Sequence, residues 1–170
     1  SKASKGRAIQ NLINIDPDDR VKAFINTQDL KDEEYVNSHY VIMATKKGQV
    51  KKTSLEQYSR PRTNGINAIT IREDDELLEA KLTNGESQVM LAIKSGKAIR
   101  FEESKTRPMG RNASGVRGIT LADKDDEVIG LIAVEDFNSD ILVVSENGYG
   151  KRFSLDDYRI TNRGGKGVKT

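Results

Sequence analysis

Val41-Ile42-Met43-Ala44-Thr45-Lys46-Lys47-Gly48 is an apolar run closed by a turn glycine, and it comes back twice. Its echoes are Val89-Met90-Leu91-Ala92-Ile93-Lys94-Ser95-Gly96 and Ile141-Leu142-Val143-Val144-Ser145-Glu146-Asn147-Gly148. The closing glycines are 48 and 52 residues apart. A second glycine keeps step, since Gly65, Gly115 and Gly167 follow them by 17, 19 and 19 residues. Self-similarity at a period of this size marks a propeller, solenoid or array, in which one unit leaves an apolar face that its neighbour covers.

Each unit reads as four strands. The apolar run is short and apolar on both faces, which predicts a central strand. A tight turn follows at Lys47-Gly48, Ser95-Gly96 and Asn147-Gly148, the last being a strong hairpin dipeptide. The second strand sets Lys52, Arg100 and Arg152 at equivalent stations. Thr53, Phe101 and Phe153 stand one residue on, and therefore on the opposite face,. This alternation predicts one packed side and a basic column directed outward.

A third strand is expected over 66–71 and 116–121, and a fourth, after an acidic turn, over 77–82 and 128–134. The N-terminal segment fits the back half of an earlier unit, with a third-strand start at 6–9, an acidic turn at 16–19 and a fourth strand at 21–25. Residues 28–34 read as a polar connector, and no stretch sustains a helical period. The expected fold is all-β and propeller-like, built of repeated four-stranded blades, about three in this chain. The repeats run approximately over 1–38 (the back half of a blade), 39–86, 87–138 and 139–170, the last incomplete. The chain opens without Met and breaks off inside a repeat, which predicts a piece of something longer.

Of 170 residues, 35% are apolar and 32% charged, which suits thin layers with much surface. The absence of cysteine rules out disulfides and thiolate metal sites and suggests a reducing compartment,. No apolar stretch approaches the ~20 residues that span a bilayer, so no membrane partner is expected. The net charge of +2 hides segregation. Residues 46–62 carry a net +5, 63–86 a net −4, 94–117 again +5, 118–140 a net −6 and 151–169 a net +4. Alternation in step with the repeat allows one margin to present a single sign, and local field governs binding more than the total does.

No catalytic constellation, metal-ligand spacing or lysine-bearing phosphate loop is present,. The one histidine, His39, reads as a solvated strand end, and Tyr58 and Tyr158 recur with the repeat as packing elements. The loops after the second strand are more informative. Arg60 and Arg62, then Lys105, Arg107 and Arg111, then Arg159, Arg163 and Lys166 occupy comparable stations among Gly, Asn, Ser and Thr, which let a backbone approach phosphate closely,. With Lys46, Lys47, Lys51, Lys52, Lys97, Arg100, Arg117, Lys151 and Arg152 they form the candidate polyanion-binding set. Duplex DNA is the expected partner, because tryptophan is absent and no aromatic platform for single strands is visible,. A propeller fragment whose charged margin docks a protein is the alternative.

Four stretches carry a resemblance to a known family. They are Gly6-Arg7-Ala8-Ile9-Gln10-Asn11-Leu12-Ile13, Ala44 through Thr53, Arg107-Pro108-Met109-Gly110-Arg111-Asn112-Ala113-Ser114-Gly115-Val116-Arg117-Gly118-Ile119, and Asn147-Gly148-Tyr149-Gly150-Lys151-Arg152. The chain resembles the C-terminal domain of bacterial DNA gyrase A along its whole length. The resemblance implies a β-pinwheel that wraps duplex DNA on its rim, in a cytoplasmic, nucleoid-associated type IIA topoisomerase. Its partners would be the rest of gyrase A and gyrase B in an A2B2 holoenzyme. No cofactor is implied for this segment, since ATP and Mg are used elsewhere in that enzyme. The family has a box reading Gln-Arg-Arg-Gly-Gly-Lys-Gly, and Arg163-Gly164-Gly165-Lys166-Gly167 matches only its last five positions. Thr161-Asn162 departs from it, so the segment reads as the start of a third strand, and the topoisomerase IV counterpart stays open as an alternative.

Overall fold

The apolar runs become central strands because side chains alternate to two faces and both faces find cover. The computed structural model describes residues 12–15, 23–26, 30–59, 69–135, 140–144 and 150–169, with side chains over 30–59, 69–135 and 155–169. The strands are β1 (Leu12–Ile15), β2 (Ala23–Asn26), β3 (Tyr40–Thr45), β4 (Gln49–Ser54), β5 (Leu77–Thr83), β6 (Gln88–Ile93) and β7 (Lys97–Glu102). They continue with β8 (Val116–Arg117), β9 (Val128–Val134), β10 (Asp140–Val144), β11 (Gly150–Ser154) and β12 (Val168–Lys169). Single 3-10 turns at Leu55–Tyr58, Glu103–Lys105 and Leu155–Asp157 follow β4, β7 and β11. The expected strand at 21–25 is met by β2, whereas 6–9 and 16–19 lie outside the described residues.

Two four-stranded antiparallel sheets have the orders β5-β3-β4-β8 and β12-β7-β6-β9, and β1-β2 and β10-β11 form hairpins. The repeat is exact in register, with Met43 opposite Lys51 and, 48 residues on, Leu91 opposite Ile99. The fourth strand of each sheet departs from expectation. Strand β8 belongs to the second repeat yet pairs with β4 of the first, and β12 of the third pairs with β7 of the second. The strand expected over 116–121 is therefore only Val116–Arg117, and it is handed to the preceding unit. Of the strand expected over 66–71, residues 66–68 lie outside the described set and 69–71 are not in a strand.

The recurring second glycine marks this hand-over. Gly115 has φ +92°, and a Cβ there would lie 2.3 Å from the Val50 carbonyl oxygen. Gly167 has φ +78° and the same problem with Ala98 O at 2.8 Å. Both strain terms apply at Gly115, so Gly115→Ala is expected to destabilise the fold by about 2 kcal/mol. Urea denaturation checks this, and a midpoint unchanged from the parent chain would contradict the close approach.

Three apolar layers result. Val41 and Met43 pack with Leu55, Tyr58 and Leu77 on one face of the first sheet. Ile42 and Ala44, one residue out of phase, pack with Val89, Leu91 and Phe101 of the second sheet. Met90 and Ala92 turn to its far face and meet Leu155 and Tyr158 of the third repeat. The first and second repeats are thus each covered by the repeat that follows. Tyr58 and Tyr158 are buried, and burial pushes the Tyr58 phenol up to about 12,. A short helix α1 (Glu33–Ser38) replaces part of the polar connector; Asp32 caps it by accepting from the Glu34 and Tyr35 amides at 3.1 and 3.2 Å,. His39 ends that helix, its ring stacked on Tyr35 at 4.1 Å.

Candidate nucleic-acid interface

Lys52 and Arg100 of the second-strand column do not point outward. Lys52 is 5% exposed and Arg100 8%, because the face opposite Thr53 and Phe101 is where the next repeat docks. Lys52 Nζ lies 3.1 Å from a Glu103 carboxylate oxygen of the second repeat and 4.3 Å from the centre of the Tyr40 ring. Arg100 repeats the arrangement one unit on. Its Nη1 donates to the carbonyls of Leu155 and Tyr158 at 2.8 and 3.0 Å, and its Nε to Gln88 Oε1 at 2.7 Å. In each case the cation is held by the 3-10 turn of the following repeat. These residues join repeats, and the reading of them as an outward basic column is corrected.

Lys51 is also inside, at 0% exposure. It stands on the sheet face where the next repeat carries Ile99, and its amine donates to the Arg111 carbonyl. Burial, and next the Arg111 charge, push its pKa down to about 7,. Lys46 and Lys47 serve the acidic turn of their own repeat. Lys46 meets Glu76 at 3.2 Å and Lys47 meets Asp74 at 2.8 Å. The hydrogen bond to Asp74 raises the Lys47 pKa and lowers that of Asp74. Asp75 Oδ1 accepts from the Lys47 amide at 3.0 Å, and Asp126 Oδ1 from the Ser95 amide at 3.1 Å. The acidic turns therefore close the glycine hairpins.

Another group of cations stays accessible. Lys105, Arg107, Arg117, Arg159 and Lys166 are exposed, while Lys97, Arg111 and Arg163 are half-buried. None of these eight has a carboxylate partner in an ion pair among the described residues. Strand exchange brings cations of different repeats together. Lys97 of β7 stands directly opposite Lys169 of β12, a residue that sequence reasoning leaves out of the set. Arg163 reaches back to the second repeat, where its Nη1 donates to Arg117 O at 2.6 Å and its Nε to Lys105 O at 3.3 Å. Arg159, Arg163 and Lys166 line a concavity of about 430 Å³ together with Thr161 and Gly165. The segment 163–167 leads into β12, as its reading as a third-strand start requires. Arg60 and Arg62, and the side chains of Lys151 and Arg152, lie outside the described residues.

Glu103 was legible in principle. It occupies the station of Leu55 and Leu155 in the other repeats, and a carboxylate at an apolar station calls for a buried cation. The exchanged strands left no such mark, since pairing across repeats depends on which unit is next door. Among the described residues no helix is long and apolar enough to cross a membrane.

The model of the DNA gyrase C-terminal domain, beta-propeller family matches residues 39–84, 88–135 and 139–170. The DNA gyrase A protein of Staphylococcus aureus (strain MRSA252) is 44% identical over 171 residues, across 100% of this chain and 19% of that protein. The chain thus spans 19% of the length of the curated relatives it matches. A crystal structure of the C-terminal domain of DNA topoisomerase IV is similar with a TM-score of 0.75 and 27% identity, over 94% of this chain and 48% of that one. A DNA gyrase A C-terminal domain gives 0.74 and 25%, over 91% and 50%. The E. coli ParC C-terminal domain, at 15% identity with a TM-score of 0.63 over 79% and 56%, shows the fold alone. A family match that falls on all three repeats, on blades of the same architecture, is decisive: the chain belongs to the DNA gyrase C-terminal domain, beta-propeller family.

Proposed function

We propose that this chain is the DNA-wrapping part of a gyrase A protein. It binds duplex DNA without sequence preference along its basic margin, so that the whole enzyme introduces negative supercoils using ATP hydrolysed elsewhere. The rest of gyrase A and gyrase B, as A2B2, would be its protein partners, in the bacterial cytoplasm at the nucleoid. The segment itself supplies no catalytic site, and Mg and ATP act in other parts of the enzyme.

One observation carries this reading. Cations from successive repeats are brought together, with Lys97 opposite Lys169 and the Arg163 guanidinium bonded to the backbone carbonyls of Lys105 and Arg117. Like charges set directly opposite on a sheet are unfavourable. An external polyanion relieves that repulsion, and the strands that create it also set its spacing along the repeats. Phosphate contacts of this kind position a duplex without reading bases, and the counterions they release offset the cost of bending.

Fluorescence anisotropy with a labelled duplex against salt tests the reading. For about four phosphate contacts, affinity should fall about 100-fold between 50 and 200 mM salt. Reversing Arg107 and Arg159 to Glu should flatten the slope and weaken binding to every duplex sequence alike. Duplex affinity that ignores both salt and these reversals would favour a protein-docking margin instead. The similarity to the topoisomerase IV domain supports a second reading, as that enzyme's counterpart. Assay in the intact enzyme separates the two, because net negative supercoiling of relaxed plasmid is the expected gyrase result.

A further inference from the structure

We infer that Pro108 and Ile160 are apolar wedges that press into base steps of the bound duplex and localise its bend. This inference rests on the DNA-wrapping reading. Ile160 is 46% exposed and is the one exposed large apolar side chain among the described residues. A single exposed apolar residue is ordinary on a protein surface; its recurrence is what carries weight. Arg60-Pro61, Arg107-Pro108 and Arg159-Ile160 place an apolar residue directly after an arginine in the three repeats that contain this loop, 13, 12 and 12 residues after the hairpin glycine. Pro108 is exposed as well, so both described stations present their apolar side chain to solvent.

The station is held rigidly. Pro108 bridges to Lys52 and Ile160 to Arg100, each in parallel fashion. The next residue locks each bridge, with the Met109 amide donating to Lys52 O at 2.7 Å and the Thr161 amide to Arg100 O at 2.8 Å. Lys52 and Arg100 are themselves the buried cations that join the repeats. At both described stations the apolar tip is therefore fixed to a buried cation that joins two repeats, with Arg107 or Arg159 exposed beside it. An arginine that enters a groove next to an apolar side chain that unstacks a base step is a known way to kink a duplex. Flexible pyrimidine–purine steps yield to it most readily.

The test compares the full chain with its Pro108→Ser/Ile160→Ser double variant; both sites are exposed, so thermal melting should match. The probes are a duplex rich in TA steps and one built of A-tracts, with permanganate reactivity of thymines reporting unstacking. The parent chain should give permanganate-reactive steps and prefer the TA-rich duplex. The variant should lose both and bind that duplex about three- to tenfold more weakly, with its salt slope unchanged. Salt-sensitive binding without reactive steps, or with steps that persist in the variant, overturns the wedge and leaves the wrapping reading standing. Absence of salt-sensitive duplex binding by the parent chain overturns both.

Discussion

Glu103→Ala is expected to cost about 3–5 kcal/mol of folding stability, the range for breaking a buried ion pair from one side. Glu103 is 0% exposed and its partner Lys52 is 6% exposed at the side chain. Removing the carboxylate leaves a buried ammonium beside the Tyr40 ring, with no carboxylate partner among the described residues. Part of the loss also falls on the Ser87 amide, which donates to Glu103 Oε1 at 3.3 Å. The double change Lys52→Met/Glu103→Leu should recover most of the loss, since two apolar side chains fill the space without a charge to desolvate. Leucine is already the residue at this station in the first and third repeats. Urea unfolding of the four chains gives the coupling energy directly. A single-variant cost below about 1 kcal/mol, the value of an exposed pair, would mean that Lys52 reaches water.

Lys51 sets the second large effect, and its sign follows from the direction of the shift. Its folded-state pKa is depressed to about 7 from an ordinary 10.5, mainly by burial. Above pH 10.5 the amine is neutral in both states and folding carries no penalty from it. As pH falls from 10.5 towards 7, the unfolded chain takes up the proton and the folded chain does not, so stability declines,. Below pH 7 the penalty is constant. The swing should be roughly 3–5 kcal/mol. Lys51→Met should remove that slope and leave the protein more stable at pH 6, despite losing the bond to the Arg111 carbonyl. Denaturation midpoints at half-unit intervals from pH 6 to 10 provide the measurement. Parallel curves for variant and parent would be falsifying.

The two residues also show where sequence reasoning is bounded. Lys52, Arg100 and Arg152 are visible as a repeating column, but their expected direction rests on the assumption that one face of each sheet is wet. In a stack of blades neither face of a central strand is wet. Lys51 stands where Ile99 does, and Glu103 where Leu55 does. Both mismatches are legible once the repeats are aligned residue by residue. Lys169 escapes such a reading because its neighbour, Lys97, is 72 positions away and meets it only through an exchanged strand.

The periodic glycines, the doubly apolar runs and the alternation of charge are properties of chain order, and they were enough to settle an all-β array of similar units and to point to a polyanion-seeking margin. Local preference acts over a few residues, so hairpins and turns could be read directly. That Lys52 and Arg100 go inside was decided by the docking of the following repeat, and that Lys97 and Lys169 stand shoulder to shoulder on the margin was decided when β12 crossed onto the preceding sheet. A strand's partner is chosen by which edge lies open beside it, and no single repeat contains that information.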